Sequence, residues 1–514
     1  MKTLRFRQSC AVLAIVLAGG STMAAEMRVY RTEAHGEMRE VESNFWSELP
    51  QGRANTVDLD AAFSGHPFTG LGVSIPESSC YLLSRLPAER RADILRTIWT
   101  TAGAGLSVAR LQIGSSDYSM HAYTYDDTAG DTELKSFSIE PDRAHILPVA
   151  KEIQSVNPSV SFFASPWSPP AWMKDNGNIA GGRMLDRYFD VYANYLVKYV
   201  QAYKQEGVDI AALTVQNEPE CDQFGLSPTC LWTGEQEAEF IVNHLAPALR
   251  AAGLVTRPWL WDHNFDGTNR VFRSLARKGV LESIGAGAWH PYVGQPEWIK
   301  PIHEKYPKLP MVMTEMGPHV DRYRRDMLWW GDLMMRTFNG GCGGFTSWCM
   351  VLDEHGQPNI SGGFPCAGFV ELNSVTGEAV PSEQFKAFCH FGRFVRCGAD
   401  VLKGFWKVGE SDWARRNNRR TTCSAFRNPD GSQVVVIGCR PADGDPFSPV
   451  QVQIKYKDRY LIVQALANAL TTVVIPRCRS GQRPNSQGDR YERTHRHALH
   501  DGRDGRLDPL RGTA

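Results

Sequence analysis

Residues 213–220 read LTVQNEPE, and this stretch decides how the rest of the chain is interpreted. Apolar and β-branched residues lead into Asn217-Glu218-Pro219, a pattern typical of a buried parallel strand that proline ends. A carboxylate at the end of a core strand is costly to bury unless it has a partner or a chemical task. The stretch therefore predicts that Glu218 is a catalytic carboxylate. The alternative is a loop carboxylate that caps the following helix.

Seven further apolar segments alternate with amphipathic helical segments along the chain. Eight such units predict a closed parallel (β/α)8 barrel, an α/β TIM barrel whose chemistry lies at the carboxyl ends of the strands. A doubly wound open sheet is the competing topology, but no GxGxxG or GxxxxGK turn follows any strand. The predicted strands are 68–74, 106–114, 159–165, 213–218, 258–264, 284–290, 310–315 and 341–348.

The composition changes on both sides of the predicted barrel, which spans residues 65–398. Short alternating patterns in residues 26–64 predict a linker and edge strands of an accessory β domain. Residues 399–476 predict the β-sandwich of that domain. Residues 477–514 hold nine Arg and no Lys with almost no apolar periodicity, so we expect a disordered basic tail. A basic binding arm is the alternative for this tail.

Residues 1–25 have the pattern of a secretory signal peptide. Lys2, Arg5 and Arg7 precede an apolar run over 10–18, and small residues follow near 24–25. Because this run is too short to span a bilayer, we expect a secreted or periplasmic protein without stable membrane insertion. A retained anchor is the alternative.

The charge balance and the cysteines limit the classes of partner. The chain has 56 basic and 56 acidic side chains, and this zero formal charge argues against nucleic acid or an anionic membrane as the main partner. None of the 12 cysteines forms a CxxC pair or a zinc spacing. Cys221 and Cys230 are spaced to close a small disulfide loop, and buried free thiols are the alternative.

A second carboxylate, Glu315, ends the seventh predicted strand. In an eight-stranded barrel the ends of the fourth and seventh strands face each other across the central pocket, so Glu218 and Glu315 are expected to converge. Hydrolysis of a glycosidic bond needs such a pair. A separation of about 5–5.5 Å gives retention of configuration through a covalent intermediate, and about 6.5–9.5 Å gives inversion.

The motifs from about residue 65 to 400 resemble, in order, those of glycoside hydrolase family 30, the glucosylceramidase family of clan A. The ordered set is more specific than Asn-Glu-Pro alone. The matching segments are Ala109-Arg110, Ser116-Asp117-Tyr118-Ser119, Tyr123-Thr124-Tyr125, residues 164–174, residues 214–219, His290-Pro291-Tyr292, Thr314-Glu315 and Trp348.

This resemblance implies a retaining β-glycosidase that acts by double displacement without a cofactor. Glu218 matches the acid/base and Glu315 the nucleophile. A dry site should keep Glu218 protonated, and a positive neighbour should keep Glu315 ionised. The resemblance assigns further roles to Asp117, Trp167 and Trp348 (the −1 sugar), Asn217 (its 2-hydroxyl), Tyr292 (orienting Glu315), Arg110 (supporting the nucleophile) and His290 (support). The alternatives are a structural ion pair for Arg110 and core packing for Trp167, Trp348 and His290.

The implied substrate is a β-linked oligosaccharide, polysaccharide or glycoside. A glucosylceramidase or β-glucosidase, with a place in sphingolipid metabolism, is the first expectation. Endo-β-1,6-glucanase, β-xylosidase and β-fucosidase activities occur in the same family. Residues 352–359 and 364–368 depart from the glucosylceramidase form on the aglycone side, so the leaving group stays open.

Two interpretations from other classes compete with a glycosidase. A metal-dependent barrel hydrolase would use Asp262, His263, His290 and Glu315, but the HxH motif expected after the first strand is missing. A non-catalytic carbohydrate-binding barrel would keep the aromatic residues and lose one of the two carboxylates, and both are present.

Overall fold

The computed structural model describes residues 27–42, 44–50, 55–222, 227–321, 326–362, 364–404, 406–407, 420–440 and 450–477. The predicted signal peptide and the predicted disordered tail after Arg477 lie outside the described residues. Within the described residues, no helix combines the length and apolar character needed to cross a membrane. Cys221 and Cys230 do not form the disulfide considered from the sequence, because both are among the ten described cysteines that are present as thiols.

Eight parallel strands close into a barrel, which confirms the predicted TIM-barrel fold. Each strand is almost wholly buried because helices cover the outside of the barrel and side chains fill its inside. The barrel strands β1 to β8 are Gly70–Ser74, Val108–Ile113, Ser161–Pro166, Ile210–Thr214, Arg257–Asn264, Ala286–His290, Met311–Met313 and Gly344–Ser347.

The fourth strand is shorter than predicted. β4 ends at Thr214, so Glu218 lies four residues beyond it in a loop and has a φ of +50°. The loop still follows the barrel, because Asn217 N donates to Pro166 O at 2.7 Å and Glu218 N donates to Asp262 O at 3.0 Å. The segment after Thr214 therefore continues along the barrel beyond the regular hydrogen bonds of β4. The backbone that carries the Glu218 carboxylate is held by the ends of neighbouring strands.

Helices connect the barrel strands in the order expected for βα units. Segments Gly234–Glu239, Phe240–Leu245 and Ala246–Ala251 run without a break, and the middle one is π-helical. Thr233 and Gln236 form a capping box at the start of this helix. The other α-helices are Glu77–Ser84, Ala88–Trp99, Glu140–Arg143, Ile146–Val156, Phe189–Gln205, Thr268–Leu275, Val280–Ser283, Lys300–Lys305, Met327–Gly340 and Glu383–Gly392.

The accessory β domain consists of two mainly antiparallel sheets that pack face to face over their own apolar core. The seven-stranded sheet has the order Arg39–Glu40, Arg28–Glu33, Ala469–Ile475, Gln433–Arg440, Arg420–Arg427, Asp400–Lys403 and Phe63–Pro67. The five-stranded sheet has the order Trp406–Lys407, Asn55–Asp58, Val450–Tyr456, Arg459–Ala465 and Asn44–Ser47. A small third sheet, Val351–Asp353, Val370–Leu372 and Ala379–Pro381, follows β8.

Arg39–Glu40, Asn44–Ser47 and Phe63–Pro67 lie at sheet edges as predicted, but the other two N-terminal strands do not. Arg28–Glu33 and Asn55–Asp58 were expected at edges, but each pairs on both sides. An alternating pattern shows that one face is buried, whereas long-range pairing decides the place in a sheet. Phe63–Pro67 crosses the predicted boundary between residues 64 and 65 by pairing with Asp400–Lys403. The division of the chain into these domains stays a prediction.

Candidate active site

A β-bulge in β5 forms the base of the candidate site. Asp262 is the extra residue of this bulge, and Asp262 and Trp261 have φ values of +58° and +87°. Such left-handed backbone in non-glycine residues is strained and is concentrated at functional sites. The bulge turns the fully buried Asp262 carboxylate toward the barrel axis. The carboxylate makes five side-chain contacts, with Arg110 (3.0 Å), Ser165 (2.9 Å), Thr214 (2.8 Å), Thr314 (2.6 Å) and His290 (3.1 Å).

Arg110 on β2 joins this base to the two residues that follow β4 and β7. Its guanidinium donates to Glu315 Oε2, to Asn217 Oδ1 at 2.7 Å and to Asp262 Oδ2 at 3.0 Å. Burial alone would lower the pKa of Arg110, but Asp262 and Glu315 raise it above its usual value. The guanidinium is therefore a fixed, buried cation. Because Asn217 Oδ1 accepts from Arg110, the orientation of the Asn217 amide is set.

Glu315 lies just beyond β7 and has a second donor besides Arg110. Tyr292 donates its hydroxyl to Glu315 Oε1 at 2.9 Å, and Gly317 N donates to the Tyr292 hydroxyl oxygen at 3.0 Å. Burial and the nearby Glu315 charge raise the pKa of Tyr292 well above its usual value, so the phenol stays a donor. The Glu315 carboxylate is thus held from two sides.

Glu218 contacts two histidines. His290 Nδ1 lies 3.0 Å from Glu218 Oε1, and His263 Nε2 lies 3.8 Å from the same oxygen. Burial favours the neutral acid, but the charge of His263 and the hydrogen bond from His290 outweigh burial and lower the pKa of Glu218. Burial opposes protonation of His290, yet Glu315, Asp262 and Glu218 together raise the pKa of His290. Of the two contacting side chains Glu218 and His290, His290 therefore carries the proton. Considered alone, burial predicted that Glu218 would carry it.

The two glutamates converge as the sequence predicted. One carboxylate oxygen of Glu218, one of Glu315 and a ring nitrogen of His290 all lie within 4.8 Å of one another. Such a donor group can hold a metal ion in principle. The wider set expected for a metal-dependent hydrolase fits less well, because five contacts already surround the Asp262 carboxylate and two donors hold Glu315.

Aromatic side chains and Asp117 form the other side of the site. Trp167 and Trp348 have ring centroids 5.1 Å apart, and the Arg110 guanidinium carbon lies 4.8 Å from the Trp167 centroid. Both indoles are buried, at 2% and 3% exposure. Burial, followed by the charges of Glu315 and Glu218, raises the pKa of Asp117 to about 8. Ile360 N donates to Asp117 O at 2.9 Å, so the loop after β8 reaches this side.

Eight of the nine residues singled out from the sequence lie at or beyond the carboxyl ends of the barrel strands, and Arg110 lies within β2. Asp262 was noted only as a strand end and as a metal ligand, although it is the hub of the hydrogen-bond network. Ser165, Thr214 and Thr314, which bind Asp262, were not singled out as site residues. Their positions at the polar ends of β3, β4 and β7 were the sequence signal that could have identified them. The bulge that brings them together at Asp262 cannot be recognised from the sequence.

Comparison with known proteins agrees with this geometry. Residues 68–395 match the sequence profile of the glycosyl hydrolase family 30 TIM-barrel domain. The chain is 31% identical over 404 residues to an endo-1,6-β-D-glucanase of Neurospora crassa, covering 76% of this chain and 80% of the relative. It is 32% identical over 430 residues to the lysosomal acid glucosylceramidase of Mus musculus, covering 74% and 76% of the two chains.

A solved structure is also similar to this chain. The endo-β1,6-glucanase BT3312 has a TM-score of 0.76 and 26% identity to this chain, covering 88% of this chain and 99% of that one. The family profile spans more than half of the sequence and includes every residue of the site described above. The protein therefore belongs to glycosyl hydrolase family 30 and is a glycoside hydrolase.

Proposed function

We propose that the protein is a retaining endo-β-1,6-glucanase, with Glu315 as nucleophile and Glu218 as acid/base. The observation that supports the mechanism is the approach of the Glu218, Glu315 and His290 polar atoms to within 4.8 Å. So close an approach of two carboxylate oxygens favours the separation of about 5–5.5 Å, at which the second carboxylate attacks the sugar directly, over the about 6.5–9.5 Å of an inverting enzyme.

In the first step Glu315 attacks the anomeric carbon while Glu218 protonates the departing glycosidic oxygen. Arg110 and Tyr292 orient the attacking carboxylate through their hydrogen bonds. In the second step Glu218 takes a proton from water, which hydrolyses the glycosyl-Glu315 ester. We assign the 2-hydroxyl of the −1 sugar to the Asn217 amide, and the rest of that sugar to Asp117, Trp167 and Trp348.

The β-1,6-glucan substrate is supported by the relatives. Fungal proteins named endo-1,6-β-D-glucanase are 29–31% identical to this chain over about three quarters of its length. The second candidate is glucosylceramide or another β-glucoside, which the mouse relative favours. The proposal includes export of the mature protein, which the signal-peptide pattern of residues 1–25 supports. An enzyme that cleaves a polymeric glucan encounters its substrate outside the cell.

Product analysis tests this proposal. Linear β-1,6-glucan should yield oligosaccharides of mixed length, and NMR of the first-formed product should show the β-anomer. An α-anomer would overturn retention. Aryl β-glucoside, β-xyloside, β-fucoside and glucosylceramide, assayed in parallel, decide between the candidate substrates. A 2-fluoro glucoside inactivator should label Glu315, and labelling at another residue would contradict the assignment. Loss of activity in a chelator that zinc restores would instead support a metal-dependent hydrolase.

A further inference from the structure

A cleft of about 430 Å³ lies beside the loop that carries Glu218, outside the catalytic network. Its wall includes Pro219 and Glu220, the two residues that follow Glu218. Two residues of extended chain span at most about 7 Å, so this wall begins within about 7 Å of the Glu218 backbone. The acid/base stands on the leaving-group side of the scissile bond. The cleft therefore begins next to the loop that carries the proton donor to the leaving group.

The charge of this cleft is unbalanced. Its lining holds four arginines, Arg183, Arg270, Arg273 and Arg277, but only two carboxylates, Glu220 and Glu235. In the described part of the chain, neither the Arg183 nor the Arg273 guanidinium has a carboxylate within 4.0 Å. Both side chains are exposed. Two cations thus face the cleft without a salt-bridge partner.

The floor of the cleft is rigid. Arg270 is buried and donates to Glu220 at 2.7 Å, to Trp232 O at 2.9 Å and to Glu237 at 3.0 Å. Its guanidinium carbon also lies 4.7 Å from the Trp261 ring centroid. A guanidinium held this way keeps its direction when a ligand enters, so this part of the lining needs no reordering on binding. Arg277 is tied more loosely, 3.5 Å from Glu235.

We propose that this cleft binds an acidic group on the leaving-group portion of a saccharide substrate, with Arg183 and Arg273 as the contacts. Guanidinium forks match carboxylate, sulfate and phosphate oxygens in a bidentate manner. The lining also offers the hydroxyls of Thr233 and Ser274 beside the cations, as a saccharide site requires. The alternative is a solvated arginine face with no ligand. The inference rests on the proposed glycosidase function because it uses the direction in which the leaving group departs.

A matched pair of substrates tests the proposal. One is a set of β-1,6-gluco-oligosaccharides whose reducing end has been oxidised to the aldonate, and the other is the same set reduced to the alditol. At about 10 mM ionic strength, where charges act over tens of ångströms, we expect kcat/KM for one aldonate length to exceed that of its alditol about tenfold. Equal values at every length would overturn the proposal.

Variants locate the effect. Arg183→Gln combined with Arg273→Gln should abolish the aldonate preference and leave kcat/KM for the alditols unchanged. Arg90→Gln combined with Arg250→Gln, two exposed arginines outside the cleft, is the control with a matched charge change and should keep the preference. A preference that survives the double substitution would place the acidic group elsewhere and overturn the assignment.

Two further measurements distinguish a free-anion site from a saccharide site, and a failure of the glucanase proposal from a failure of the cleft proposal. If inorganic phosphate at the concentration of the aldonate removes the preference completely, the cleft binds a free anion and the saccharide assignment is wrong. If neither substrate set is cleaved, the proposed glucanase function fails on its own. Calorimetric titration of the protein with aldonate and alditol then still decides whether the arginine cleft binds the acidic group.

Discussion

The imidazole of His290 lies between Glu218 and Asp262, with Nδ1 3.0 Å from Glu218 Oε1 and Nε2 3.1 Å from Asp262 Oδ1. The pKa of His290 is raised and that of Glu218 is lowered. One proton is therefore shared by the pair over a wide pH range, with His290 as its resting place. The singly protonated pair is the state that can protonate a leaving oxygen.

His290→Gln should move the basic limb of the pH profile of kcat/KM to lower pH, by about one unit or more. In the wild type the pair loses its proton only as pH rises through the raised pKa of His290. Glutamine cannot hold that proton, so in the variant it is lost at the pKa of Glu218 itself. His121→Gln, an exposed histidine, is the control. An unchanged basic limb would show that His290 does not store the proton.

Glu218→Ala should lower kcat/KM about 10²–10⁴-fold on substrates with poor leaving groups and much less on aryl glycosides with good ones. Removal of the proton donor slows the first step only for leaving groups that need protonation, and removal of the general base slows hydrolysis of the intermediate for every substrate. Azide should restore part of the rate by attacking the glycosyl-Glu315 intermediate and releasing a β-glycosyl azide, detectable by mass spectrometry. If azide has no effect on any substrate, the acid/base assignment to Glu218 is wrong.

Asp262→Asn should lower the free energy of unfolding by about 3–5 kcal/mol and abolish activity, because the buried Arg110 charge loses one of its two carboxylate partners. Thr314→Val, which removes one of the contacts to Asp262, should cost only about 1 kcal/mol. Urea unfolding followed by tryptophan fluorescence measures both. Equal losses in the two variants would contradict the central role of Asp262.

Asp142 should make the stability depend on pH. This carboxyl accepts hydroxyls of Tyr123, Tyr125 and Tyr203, and burial raises its pKa to about 7 in spite of those bonds. An unfolded Asp titrates near about 3.9, so the folded state binds the extra proton between these two values. The stabilisation is complete below about pH 4 and is lost as pH rises toward 7.

Asp142→Asn, which stays neutral, should remove this pH dependence from the melting temperature measured between about pH 4 and pH 8. Glu89→Gln, an exposed carboxylate, should keep the wild-type slope. A slope that is the same in Asp142→Asn and in the wild type would assign the pH dependence to other groups.

The barrel could be predicted because each βα unit carries a local signal. A strand that is buried on both faces needs consecutive apolar residues, and such a run can be recognised locally. The apolar runs 159–165 and 258–264, for example, lie within a few residues of β3 and β5. The pairing partners of strands in the accessory sheets could not be predicted. Arg28–Glu33 pairs with Ala469–Ile475, more than four hundred residues away, and an alternating pattern does not specify such a partner.

The sequence by itself determined that Glu218 and Glu315 stand at the ends of facing barrel strands, because hydrophobic periodicity places the strands and barrel closure places their ends. Only the tertiary structure decided what surrounds them. The carboxylate at the Asp262 bulge contacts side chains from five other strands or their ends, and the His290 contact reverses the protonation that dryness alone predicted for Glu218. A pKa depends on charges brought together in space, and those charges lie on segments that are distant along the chain.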